Sequence, residues 1–124
     1  MKEVRFVTPK NEEVNSLKSV FEGRGISVIQ IPSELPVPKS DSLKEIARSK
    51  AYSAWVLLNK PVVVQATGFF VSSLNGFPKA FVDFALETIG VEGILRLIEG
   101  KSRACEFRPY LAYYDGQLDG PHDF

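Results

Sequence analysis

Val64-Gln65-Ala66-Thr67-Gly68-Phe69-Phe70-Val71-Ser72-Ser73-Leu74-Asn75-Gly76-Phe77-Pro78 decides the fold. With Pro61-Val62-Val63 ahead of it, the stretch opens as a short, continuously apolar strand. Such a strand is covered on both faces and so is central in an α/β sheet. The pattern predicts that it ends at Gln65-Ala66, that Thr67-Gly68 forms a small turn, and that Phe69 to Val71 makes another strand. Asn75-Gly76-Phe77-Pro78 is turn chemistry.

Upstream, Val4 to Thr8 reads as a first strand. Thr8-Pro9 predicts a helix entry, with a hydroxyl at the N-cap and proline at the first helical position. Val14, Leu17, Val20 and Phe21 recur at helical spacing. Glu12 and Glu13 fall in the first turn, where the helix dipole favours anions. Gly23 and Gly25 stop the helix, and Ile26 to Ile31 is a second strand. Pro32, Pro36 and Pro38 forbid regular structure in the loop that follows. Ser42 with Glu45 has the spacing of a capping box, with Asp41 an equal candidate for the cap. A helix then runs to about Asn59 on an apolar stripe of Leu43, Ile46, Ala47, Ala51, Ala54, Leu57 and Leu58, with Lys44, Arg48 and Ser49 facing out.

Downstream, Lys79 to Ile89 predicts a helix with Ala80, Phe81, Phe84 and Ala85 inward, closed by Gly90. Val91 to Glu99 predicts a short helix and Arg103 to Tyr114 a long strand. Pro109 interrupts that strand and calls for an edge position or a bulge. Cys105 lies in the apolar pattern of the strand without a nearby histidine, as a buried inert thiol would. The alternation of strands and helices predicts an α/β fold, a mixed twisted sheet with flanking helices, over residues 1–115. Residues 116–124 read as a polar, poorly ordered tail, with His122 solvated in it.

Fifteen basic and fifteen acidic residues cancel, so net charge offers no case for nucleic acid or an anionic membrane as partner. One cysteine excludes an intrachain disulfide and suits a reducing compartment. No apolar run approaches membrane-spanning length and Met1-Lys2-Glu3-Val4-Arg5 lacks a signal-peptide pattern, so the expected location is cytoplasmic. One histidine and one cysteine cannot build a metal cage. Phe69, Phe70, Phe77, Phe81 and Phe84 form an aromatic cluster that reads either as core or as a partner surface.

Several motifs together resemble the inosine-triphosphate pyrophosphatase family, whose members cleave ITP, dITP and XTP to the monophosphate and pyrophosphate. They are Thr67-Gly68, Leu74-x-Gly76-x-Pro78, Thr88-Ile89-Gly90-x-Glu92-Gly93-Ile94-Leu95-x-Leu97-x-x-Gly100, Arg103-Ala104-x-x-Phe107 with Ala112-Tyr113, and Asp41-Ser42-Leu43-x-Glu45-Ile46-Ala47-x-x-Lys50-Ala51. The resemblance implies the N-terminal lobe of that fold, a homodimer, Mg²⁺ as cofactor and a purine nucleoside triphosphate as ligand. It implies phosphate contacts from Thr8, Lys10 and Lys50. Lys50 reads equally as a lysine snorkelling at the edge of its apolar stripe, and Thr8 as an ordinary helix cap.

The departures from the family pattern fall where the chemistry should be. Pro9 stands for a glycine and cannot donate an N–H. Glu13 stands for a lysine and repels phosphate. Val37 stands for a metal-binding glutamate, with Glu34 a weak substitute. Gln65 and Ala66 stand for the acid pair that handles the metal and activates water. Magnesium needs hard, preferably anionic oxygens, and loss of a general base alone costs about 10²–10⁴-fold in rate. The chain also stops at Phe124, short of the family's purine-reading motif. The expectation is a diverged, shortened member with no catalytic residues in place and activity weak or lost. The alternative is a non-catalytic nucleotide-binding or interaction module, pairing with a full-length relative.

Overall fold

The computed structural model describes residues 2–116 and the backbone of His122 and Asp123. Strand β1 (Lys2–Val7) leads through helix α1 (Asn11–Glu22) to β2 (Ile26–Ile31). Helix α2 (Leu43–Leu58) precedes β3 (Val62–Val71), a 3-10 turn at Ser72–Leu74 and the two-residue β4 (Pro78–Lys79). Helices α3 (Val82–Thr88) and α4 (Gly90–Leu97) follow, then β5 (Cys105–Tyr114) and β6 (His122–Asp123). The remaining tail residues, 117–121 and 124, lie outside the described residues.

The strands form one mixed sheet in the order β2-β1-β3-β5-β6, with β4 on the far end of β3. β1 pairs in parallel with β2 and β3, while β5 runs antiparallel to β3 from Val62↔Tyr114 to Val71↔Cys105. A parallel neighbour needs a crossover, and α1 and α2 supply the crossovers that return the chain to β2 and β3.

The two faces of the sheet are sorted by the period-2 alternation of β3. Val62, Val64 and Ala66 pack with Ala112 and Tyr114 beneath α2. Val63 turns the other way, to Val4, Phe6 and Val28 beneath Val14 and Leu17 of α1. Burying a side chain the size of fully enclosed Phe6 stabilises the fold by about 1.5–3 kcal/mol. Helix α2 meets the sheet through Ala47, Ala51 and Ala54, none of which keeps any exposed surface. Methyl groups there let the helix lie close to the strands. A smaller cluster of Val71, Ile94 and Ile98 seats α4 at the distal end.

Several expectations are corrected. Thr67-Gly68 is no turn: β3 runs unbroken through it because β5 pairs with every residue of the strand. Helix α1 starts at Asn11 rather than Pro9, with Lys10 at the N-cap and no side-chain cap bond. Ser42, not Asp41, caps α2, and its hydroxyl accepts from the Glu45 backbone N–H. The Glu45 carboxylate takes the Ser40 hydroxyl instead of closing the box. Leu57 is exposed near the end of α2, and Phe81 and Phe84 are exposed because α3 is a short helix that covers only a corner of the sheet. Cys105 is exposed at the open start of β5 rather than buried. The sheet also takes in His122 and Asp123, whose backbones pair with Tyr113 and Ala112, in the stretch expected as loose tail. Pro109 pairs inward with the Thr67 position, and β6 does not extend to its outer side, in keeping with an edge site.

Candidate functional site

In open α/β sheets the natural crevice lies beyond the carboxyl ends of parallel strands. Here β1 ends at Val7 beside β3, and the prolyl loop after β2 arches over the gap. The result is a cleft of about 720 Å³. Thr8, Lys10 and Lys50 all line it, with Gln65 and Ala66 at its floor and Glu34 and Val37 on the loop. Every site position singled out from the sequence therefore reaches one cavity. Glu12, Glu13, Asp83 and Phe107 line it as well. Asp83 and Phe107 were not among the candidates: Asp83 lies in none of the motifs, and the motif that contains Phe107 assigns it no role.

Thr8 is almost fully enclosed, at 5% exposure. Its hydroxyl donates to Glu13 Oε1 at 2.8 Å and accepts from the Lys10 N–H at 3.1 Å. Gln30 Nε2 holds the same turn from β2, donating to the Thr8 carbonyl at 3.2 Å and to Asn11 Oδ1 at 3.1 Å. The turn is thus built without the glycine that Pro9 displaces. Glu13, expected to repel phosphate, also occupies the Thr8 hydroxyl.

Lys50 rises from α2 and donates from Nζ to the Gln65 carbonyl at 2.7 Å. Burial pulls its ammonium below the ordinary range, with the positive charge of Lys10 acting in the same sense and Glu13 and Asp83 opposing. Lys10 Nζ lies 3.7 Å from Asp83 Oδ2, an exposed pair of small energetic weight. Glu13 and Asp83 thus act as built-in anionic partners for the cations of the cleft.

The resemblance implies magnesium at this cleft, and the donor set does not fit it. Gln65 spends its amide N–H on Thr67 Oγ1 at 3.2 Å. Ala66 and Val37 offer no donor atom. Glu13 holds Thr8 and Asp83 lies beside Lys10. Among the described residues no three His, Cys, Asp or Glu side chains converge as a metal site. A hard cation that prefers several anionic oxygens has no such set here.

The Ham1 family model matches residues 4–123, nearly the whole sequence. This chain belongs to the Ham1 family. It is 34% identical over 114 residues to a dITP/XTP pyrophosphatase of Thermococcus kodakarensis, covering 91% of this chain and 62% of the relative. A dITP/XTP pyrophosphatase of Methanopyrus kandleri is 37% identical over 111 residues, 89% of this chain and 59% of that protein. The chain thus spans about three fifths of the length of these curated relatives. The solved HAM1 protein of Coxiella burnetii superposes with a TM-score of 0.82 at 16% identity, covering 99% of this chain and 68% of that one. The expected mixed α/β architecture and the family are both borne out. No helix among the described residues is long and apolar enough to cross a membrane.

Proposed function

We propose that this Ham1-family chain is a cytoplasmic protein that holds the polyphosphate of a purine nucleoside triphosphate in the cleft, with pyrophosphohydrolysis weak or lost. The reading rests above all on the convergence of Thr8, Lys10 and Lys50 on one cavity whose floor is Gln65 and Ala66. The cations supply charge for phosphate, and the Thr8 hydroxyl and the N–H groups of the α1 start supply donors. A bound polyphosphate takes the place of Glu13 on Thr8 and of Asp83 beside Lys10. The floor carries no carboxylate to take a proton from water, so bound nucleotide outlasts the encounter uncleaved. The relatives named as dITP/XTP pyrophosphatases support the ligand class.

Calorimetry with ITP, XTP and ATP, run beside a pyrophosphate-release assay with Mg²⁺, tests this reading. Saturable binding with release near background is expected. Absence of binding removes the nucleotide role. Metal-dependent release from ITP that Lys50→Ala abolishes overturns the loss of activity.

A second reading, an interaction module, draws on a different observation. Phe81, Phe84, Ile89, Val91 and Leu95 of the α3–α4 corner are exposed. Apolar side chains gathered on one corner favour association, here as a homodimer or with a longer relative. Sedimentation of the wild type against Phe84→Glu reads it directly. A monomer in both removes the homodimer.

A further inference from the structure

Resting on the reading of the cleft as a polyphosphate site, the geometry points to Phe107 as the residue that receives the nucleobase, by stacking rather than by hydrogen-bond reading. Phe107 is 67% exposed, a large cost for a ring on a paired strand. Its position is nevertheless fixed: it lies opposite Phe69 in the β3–β5 register, with ring centroids 4.7 Å apart at 37°. Phe69 thus backs the ring and leaves most of its surface open. Phe107 lines both the cleft that holds Thr8, Lys10 and Lys50 and an adjoining groove of about 570 Å³.

That groove suits a base better than a phosphate. Two of its three cations are already matched: Lys79 Nζ lies 3.2 Å from Asp41 Oδ2, and the Arg108 guanidinium is held by Glu106 and lies over the Phe70 ring, while the third, Lys44, is exposed on α2. Apart from Lys44, what remains on offer is the π-face and apolar surface of Leu43, Phe107, Pro109 and Tyr110. The spacing also agrees. Lys50 is anchored at the Gln65 carbonyl, and the Phe69–Phe107 rung lies four residues further along β3, about 13–14 Å. This is the order of length that separates the terminal phosphate from the base in an extended nucleoside triphosphate.

A ring that stacks has no donor–acceptor pattern to match, and every base has a π-face. The ligand class is therefore a nucleoside triphosphate with weak base discrimination, ITP, XTP and ATP binding within a few-fold of one another. The test compares ITP with inorganic tripolyphosphate by calorimetry on the full chain. Phe107→Ala is expected to weaken ITP by about tenfold and to leave tripolyphosphate unchanged. Phe107→Trp is expected to retain or tighten ITP. Because the side chain is exposed, both variants are expected to fold, which circular dichroism verifies. If the wild type binds ITP no tighter than tripolyphosphate and Phe107→Ala alters neither, the assignment of Phe107 falls while the cleft reading stands. If neither ligand binds the wild type, the cleft reading falls and takes this one with it.

Discussion

Lys50 Nζ reaches from α2 to the backbone carbonyl of Gln65 on β3 at 2.7 Å, tying the helix to the strand at the floor of the cleft. The bond gives the lysine a structural partner and fixes its head at the cleft. As a snorkelling side chain it would end in open water. Instead its ammonium is held in a partly desolvated site where an arriving anion finds a charge already placed. The head points inward to a backbone carbonyl, so Lys50 does not snorkel to open water.

The lowered pKa of Lys50 makes two pH dependences. In the folded chain its proton is lost more easily than at the ordinary 10.5. Between the lowered value and 10.5 the unfolded state binds more protons, so stability rises with pH across that window. Polyphosphate binding does the reverse, because the anion needs the ammonium: affinity falls as pH rises through the lowered value. Lys50→Arg keeps its charge at every accessible pH and is expected to flatten the binding profile. Lys50→Met is expected to remove the rise in stability. Urea titrations and tripolyphosphate calorimetry across alkaline pH read both. A wild-type binding profile that matches Lys50→Arg would show that this ammonium does not meet the ligand.

Glu13 is expected to set the ease with which phosphate enters. Its carboxylate accepts from Thr8 and helps to keep Lys50 protonated. Glu13→Gln preserves an acceptor for the Thr8 hydroxyl and removes the negative charge. A single like charge near a partly screened site is worth about 1 kcal/mol, so tripolyphosphate should bind roughly fivefold tighter. The gain should shrink in high salt, because screening weakens the repulsion that was removed. An affinity unchanged at low salt would place the phosphates away from Thr8.

Restoring the acids tests the chemistry of the floor. Gln65→Glu, Ala66→Asp and Val37→Glu together return carboxylates to the positions that the resemblance assigns to them. Ala66 is buried, so an aspartate there is costly unless a cation meets it. The triple variant should therefore melt below the wild type without metal and recover when Mg²⁺ is added. It should also release pyrophosphate from ITP faster than the wild type. A folded variant that ignores Mg²⁺ in both assays would mean that the cleft no longer holds a triphosphate in line with those positions.

How far the sequence was legible differs from place to place, for physical reasons. The apolar run of β3 and the cap at Ser42 are local signals, and the structure keeps both. The convergence of Thr8, Lys10 and Lys50 follows from the order of strands, which the family motifs carried. Gly68 misled because glycine usually marks a turn, and only the long partner β5 shows why the strand continues. Cys105 misled because an alternating apolar pattern promises a covered face, whereas no helix among the described residues covers the start of β5. Asp83 was invisible, since its role comes from where α3 docks and not from its neighbours in sequence.

Gly68 offers the sharpest test of that distinction. Its φ is ordinary for a strand, so a turn does not require it; space does. A Cβ built there would lie 2.8 Å from Phe70 Cε1, 3.2 Å from Leu43 Cδ1 and 3.2 Å from the Lys79 carbonyl oxygen. The two side chains can shift, but the carbonyl belongs to β4 and is paired with β3. Gly68→Ala is therefore expected to destabilise by about 1–3 kcal/mol, as overpacking does, even though alanine restricts the unfolded chain and by itself would stabilise by about 0.4–1 kcal/mol. A neutral or stabilised Gly68→Ala in urea unfolding would mean that β4 does not press on β3 at this point.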